Sequence, residues 1–139
     1  MERKCLCGKL IKQLHDELER QANNTLIHQN LTLTQMHVLM ELEAATEHHL
    51  PLKELERVLH VAQSTAAGIV ARLAQKGYVE SLSDADDRRV KHVIITPSGI
   101  ECCKNAKSHI DDMEGHLLSG LTEEEKEQFC RLLQKICDR

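Results

Sequence analysis

The sequence predicts a mainly α-helical fold with one small β-hairpin set in its middle, and three observations carry that prediction. Apolar residues recur at helical spacing over most of the chain. Two β-prone runs, Tyr78-Val79 and Val90 to Ile95, flank a tip loaded with Asp and Arg. The helix before the hairpin stops at Gly77, suited to the left-handed conformation, and a new helix opens at Thr96-Pro97.

Length and composition bound the rest. The 139 residues suit one compact unit, and 41% apolar with 29% charged residues is a globular composition. No apolar run is long enough to cross a bilayer, and Met1-Glu2-Arg3-Lys4-Cys5 leads into a polar amphipathic segment where a signal peptide would need an apolar block. A cytoplasmic protein without a membrane partner is expected. Tyr78 and Phe129 are the only Phe, Tyr or Trp rings, so the core must be aliphatic and stacked aromatic platforms for single-stranded nucleic acid are not expected.

Along the chain, Leu6, Leu10, Leu14, Leu18 and Ala22 recur every fourth position, and Cys7, Ile11 and Leu26 broaden the stripe into an amphipathic helix over about 6–26. Thr32 with Gln35 has the capping-box spacing and starts a second helix, Met36 to about Ala45. A polar turn around His48-His49 follows. Pro51 suits the first turn of a helix through Leu52, Leu55, Val58 and Leu59, after which His60-Val61-Ala62 turns the chain into a helix over 63–76. That pair is a helix-turn-helix.

The second helix of the pair places Ile69, Val70 and Leu73 inward, and Gln63, Ser64 and Thr65 in its first turn, where small polar side chains can approach base edges. After the hairpin, Ile100, Cys103, Ala106, Ile110, Met113 and Leu117 mark a long helix ended by Gly120. Thr122 with Glu125 caps a last helix carrying Phe129, Leu132, Leu133 and Ile136. A helix-turn-helix followed by a charged hairpin is a winged helix, a double-stranded-DNA-binding design. The first helix and the last two carry apolar stripes that so small a core cannot cover, which points to a second copy of the chain.

The net charge of −4 is unusual for a partner of nucleic acid, but its distribution is uneven. Residues 50–92 carry a net +1 while the flanks carry −5, so the candidate basic surface lies in the middle. Its cations include Arg72 and Lys76 on the second helix of the pair, read either as phosphate contacts or as structural charges, and Arg88, Arg89 and Lys91 on the wing.

The motifs Leu31-Thr32-Leu33-Thr34-Gln35, Lys53-Glu54-Leu55, Gln63-Ser64-Thr65, Ile69 to Gly77, Asp84-Ala85-Asp86-Asp87-Arg88-Arg89 and Thr96-Pro97-Ser98-Gly99, in this order and spacing, resemble the MarR family of transcriptional regulators. The resemblance covers the whole chain. It implies a single unit over 1–139, with residues 1–30 and 97–139 forming a helical dimerisation region and 31–96 a winged lobe. It also implies a homodimer that reads a pseudo-palindromic operator, as a repressor released by a small organic ligand or a stress signal.

By position, Gln63, Ser64 and Thr65 fall where the family contacts the major groove. Arg89 falls at the wing arginine that enters the minor groove, and Asp87 at the carboxylate that orients it. A guanidinium is drawn to the negative potential of a narrow minor groove, and a neighbouring Asp restricts its rotamers beforehand. Ala62 departs from the family, many members having a Ser cap there; the loss is worth about 1 kcal/mol of local helix stability.

Six cysteines, Cys5, Cys7, Cys102, Cys103, Cys130 and Cys137, leave a redox or metal-responsive alternative open. Cys7 lies close to the register of the sensing thiol in hydroperoxide-responsive members, although the two tyrosines that depress that thiol's pKa are absent. Cys5 and Cys7 with a C-terminal Cys would suit Zn or a softer metal. The remaining cysteines lie on amphipathic helices and are expected to pack as small hydrophobes. Glu19 and His37 align with two ligands of a zinc site in other members, whose remaining ligands would fall at Ala106 and Ile110. His37 is instead expected near an organic-ligand pocket, with no bound cofactor or metal. No phosphate loop, nucleophile elbow or His-Glu-x-x-His motif occurs, so no enzyme is expected. A helical dimer without DNA binding is the remaining alternative, and a degraded wing would mark it.

Overall fold

The computed structural model describes residues 6–138, apart from the side chain of His28. Helix α1 spans Cys7–Leu26 and α2 spans Leu33–Ala44; strand β1, His49–Pro51, leads into α3, Leu52–Leu59, and α4, Gln63–Gln75. Strands β2, Val79–Ser83, and β3, Lys91–Ile95, form the hairpin, and α5, Pro97–Leu117, and α6, Glu123–Cys137, complete the chain. The architecture is mainly α-helical with a small antiparallel sheet, as the periodicities predict.

Two local features differ from the sequence reading. Helix α2 starts at Leu33 rather than Met36, because the capping box closes around Thr32: its hydroxyl accepts from the Gln35 N–H at 3.1 Å, and Gln35 Oε1 accepts from the Thr32 N–H at 3.2 Å. The segment expected as a turn at His48-His49 passes into a third strand. Leu50 precedes Pro51 and is therefore biased to extended backbone, and β1 pairs antiparallel with β3, Leu50 opposite Val93. The sheet order is β1-β3-β2, which leaves Pro51 on an edge strand where its missing N–H does little harm.

Helix α2 is the centre of the core. Leu33, Met36, Val38, Leu39 and Leu42 are all buried, around more of its circumference than one stripe, because α1, α3, α4, α5 and β3 all pack against it. Leu26 from α1, Leu55 from α3, Leu73 from α4, Val93 from β3 and Cys103 from α5 close around these side chains, all with negligible exposure. Each buried Leu or Val contributes about 1.5–3 kcal/mol of transfer free energy.

The turns that aim the helices are built from backbone bonds. His60 takes a left-handed conformation (φ 55°), and the Val61 N–H reaches the Glu56 carbonyl at 3.2 Å, ending α3. At the end of α4, Gly77 (φ 80°) donates to the Ala74 carbonyl and Tyr78 to the Leu73 carbonyl, both at 3.0 Å, the paired bonds of a Schellman motif. Thr96 then ties the hairpin back to this turn, its hydroxyl donating to the Gly77 carbonyl at 2.7 Å and accepting from the Gly99 N–H at 3.1 Å. Gly99 is required by proximity: a Cβ there would stand 2.2 Å from the Tyr78 carbonyl oxygen and 2.7 Å from Ile95 Cγ1.

Substitution of Gly99→Ala should therefore force the start of α5 away from the hairpin root and cost about 1–3 kcal/mol, as overpacking does. Urea unfolding measures this directly, and an unchanged midpoint would contradict the contact.

Candidate nucleic-acid interface

Helix α4 owes its exposed first turn to a simple division of faces. Ala66, Ile69, Val70 and Leu73 are buried, while Gln63, Ser64 and Thr65 are exposed. Ala62 at the N-cap offers no side-chain acceptor, so the first N–H groups of α4 are left without the usual capping bond. Those groups and the positive end of the helix dipole suit a phosphate or a base-edge acceptor.

The wing tip is an ordered loop. The Asp84 N–H donates to the Val90 carbonyl at 2.8 Å, and the Val90 N–H to the Asp87 carbonyl at 3.0 Å. Asp87 accepts three bonds from Arg89: the backbone N–H at 3.0 Å, Nε at 3.1 Å and Nη2 at 3.2 Å. The two guanidinium bonds form a fork on the carboxylate, and that side-chain contact, followed by the backbone bond, holds the Asp87 carboxyl below its ordinary pKa. A carboxylate so lowered keeps its partner throughout neutral pH and releases it only as pH falls through the lowered value. The Arg89 side chain is nevertheless 91% exposed. It is oriented without being buried, as a probe for an external anion must be.

Arg88 and Lys91 are exposed beside it, and Arg72 is exposed on α4. Lys76 is placed differently from the expectation of a phosphate contact. Its ammonium donates to the Asn30 carbonyl and, at 2.9 Å, to Gln35 Oε1, the same oxygen that caps α2. Burial pushes its pKa down. Lys76 thus joins the end of α4 to the start of α2. The sequence leaves a structural use of Lys76 open beside a phosphate contact, because its acceptors lie more than forty positions away.

Sequence reasoning missed His92, whose Nε2 meets Asp84 Oδ2 at 3.2 Å and whose ring stands edge-on to His49 at 5.6 Å. Asp84 is held below the ordinary carboxylate range first by the Asp86 N–H and then by His92. The hairpin register could have found that pair, since Asp84 directly follows β2, whose Leu82 pairs with His92.

The cysteines divide. Cys5 lies outside the described residues, and Cys7 is exposed in the first turn of α1. Cys103 is buried, and burial followed by a bond with Glu43 pushes its thiol up to about 12, so it stays protonated and unreactive. Cys102 is half-buried. Cys130 and Cys137, expected to pack, are exposed because no described residue of α6 is buried within its own chain.

His37 is exposed on α2, and its imidazole is pushed below its ordinary pKa first by the surrounding protein, with Glu41 opposing and His15 adding to the shift. Ala106 is buried and Ile110 packs on the core, so these two positions of α5 offer no metal ligand near Glu19 and His37.

Comparison with known proteins places this geometry. The profile of the MarR family matches residues 31–91, from the capping box of α2 to the first residue of β3. The Multiple antibiotic resistance protein MarR of Salmonella typhimurium is 31% identical over 130 residues, covering 93% of this chain and 89% of the relative. The chain belongs to the MarR family. Members of that family are transcriptional regulators rather than enzymes. The Transcriptional repressor MprA of Escherichia coli is 25% identical over 134 residues, covering 96% of this chain and 76% of its own. The S. aureus MepR–DNA complex superposes with a TM-score of 0.85 at 28% identity, covering 97% of this chain and 98% of that one. Among the described residues of this MarR-family chain, no helix is long and apolar enough to cross a membrane.

If Lys76 serves the fold, Lys76→Ala should lower stability by about 1 kcal/mol, the net worth of a bond to the buried Gln35 amide. Thermal unfolding of the purified variant checks this. Unaltered stability together with weakened binding to all DNA sequences would return Lys76 to the phosphate-contact role.

Proposed function

We propose that this chain is a cytoplasmic, homodimeric repressor that binds a pseudo-palindromic double-stranded DNA operator and is released by a small organic ligand. The observation that carries the reading is the Asp87–Arg89 fork, which presents a preoriented, exposed guanidinium on a wing rooted directly after α4. Arg89 enters the minor groove, and Gln63, Ser64 and Thr65 read base edges in the major groove. Arg72, Arg88 and Lys91 neutralise phosphates.

Residues 31–96 form the reading lobe, and 1–30 with 97–139 form the dimer. Support for the dimer comes from the stripes that the single chain leaves uncovered: Leu6 just before α1 with Leu10 and Ile11 on it, Leu10 at 52% exposure, and on α6, Leu132, Leu133 and Ile136, the last at 57%. Contiguous apolar surface of this kind marks an interface. The similarity to MprA, described as a transcriptional repressor, and to MepR, seen bound to DNA, supports the direction of the effect and the partner. The proposed ligand would act at the surface around the exposed His37 of α2.

The test is a gel-shift titration on operator fragments selected from genomic DNA at physiological salt. Arg89→Ala should weaken binding about tenfold or more, in keeping with the roughly 1–3 kcal/mol of a good groove contact. Asp87→Ala should weaken it less, by freeing the arginine, and both variants should keep the wild-type thermal stability. Wild-type affinity in both would contradict the wing assignment.

A further inference from the structure

His92 lies at the root of the wing, on the face of the sheet that carries His49. Its partner on β2 is Leu82, and its side chain is largely covered, 24% exposed. Across β1 and β3, His49 stands opposite Ile94 and Pro51 opposite His92, which makes His49 the diagonal neighbour of His92; the two rings meet edge-on at 5.6 Å. On its other side, His92 Nε2 meets Asp84 Oδ2 at 3.2 Å. His92 Nδ1 is buried and has no partner among the described residues, so the ring proton belongs on Nε2, which donates to the carboxylate.

Asp84 in turn grips the tip from both sides. Its Oδ1 accepts from the Asp86 N–H at 2.8 Å, and its own N–H donates to the Val90 carbonyl at 2.8 Å. Asp86 and Val90 flank the segment that runs from Asp87 to Arg89, in which Asp87 Oδ1 accepts from the Arg89 N–H at 3.0 Å. The tip is thus two turns in succession, each a carboxylate bonded to the N–H two residues on. The second turn is closed by Arg89 itself. The first decides where the second begins, and its carboxylate is oriented by His92. Arg89, at 91% exposure, takes no direction from packing, so where it points depends on the path of this loop.

We propose that His92 is a positioning residue for the wing arginine: donation from Nε2 fixes the Asp84 carboxylate, the carboxylate fixes the first turn of the tip, and that turn sets the direction in which Arg89 is presented. His92 acts through Asp84 rather than on Arg89 itself. Because His49 lies against the same ring and β1 leads straight into α3, the aim of the wing is referenced to the helix-turn-helix as well as to β2. The consequence for operator affinity rests on the proposed function; the order of the tip does not.

The experiment is backbone nitrogen-15 relaxation of the DNA-free full chain, with operator gel shifts on the same preparations. In His92→Ala the order parameters of the Asp86 and Arg89 amides should fall from the roughly 0.85 of rigid backbone to below about 0.6, while those of Ser81 and Val93 in the strands stay unchanged. His92→Gln, whose side-chain amide can also donate to Asp84, should restore the tip. On operator DNA, His92→Ala should weaken binding about fivefold, the worth of one hydrogen bond. In an Arg89→Ala background it should weaken binding no further, because the two residues act in one line. A tip as ordered in His92→Ala as in the wild type would overturn the proposal, and so would order lost equally from tip and strands, the mark of a residue that only holds the sheet. Losses that add in the double variant would overturn it as well, since His92 would then act other than through Arg89. The order of the tip is measured without DNA, so it decides the inference even where the operator assignment fails.

Discussion

The junction of Gly77, Tyr78, Thr96 and Gly99 is the constraint on which the arrangement of the lobe depends. Here the end of α4, the root of the hairpin and the start of α5 share a few backbone atoms. The Tyr78 carbonyl accepts from the Thr96 N–H at 3.0 Å while lying against Gly99, and the Thr96 hydroxyl bridges Gly77 to Gly99. The Tyr78–Thr96 bond and the Tyr78–Gly99 approach are backbone against backbone, and the short Thr96 side chain is held by bonds at both ends. Helix α4 and the hairpin are consequently held by one knot, and α5 leaves from the same knot. In the proposed dimer, a shift of α5 against the partner must carry α4 with it. That is how a signal binding two dimer geometries unequally would change operator affinity.

Lys76 adds a second tether at the same end of α4. It reaches the capping oxygen of Gln35, so the start of α2 and the end of α4 are linked through one side chain. The opposite end of α4 is free of such ties: Ala62 gives no cap, and Gln63, Ser64 and Thr65 face solvent. Rigidity at one end and open polar groups at the other suit a helix that inserts end-on. An overall charge of −4 is compatible with this, because attraction to phosphate acts over roughly a Debye length of 8–10 Å and is governed by the local cations Arg72, Arg88, Arg89 and Lys91.

What could be read from the sequence was local. Capping boxes at Thr32 and Thr122, Gly77 at a helix end and Thr96-Pro97 at a helix start are each decided by residues within one turn, and all four lie where the structure has them. The Asp87–Arg89 fork spans two residues and follows from the same logic. Strand β1 was not foreseen because its partner is β3, more than forty residues on, and three residues carry too little periodicity to declare a strand. Lys76, read either as a phosphate contact or as a structural charge, is left open by the sequence for the same reason: what engages it is Gln35, brought near only by the packing of α2. Cys103, by contrast, is buried as its helical stripe predicts. The exposure of Cys130 and Cys137 depends on what covers α6, which a single chain does not specify.

The central claim is that two copies present their α4 helices to successive major grooves, about 34 Å apart, with the wings in the flanking minor grooves. Hydroxyl-radical footprinting on a selected genomic operator tests it most directly. The expected pattern is two-fold symmetric, with two protected half-sites one helical turn apart and outer protections that vanish in an Arg89→Ala dimer. Protection without symmetry, or protection that does not depend on sequence, would contradict it.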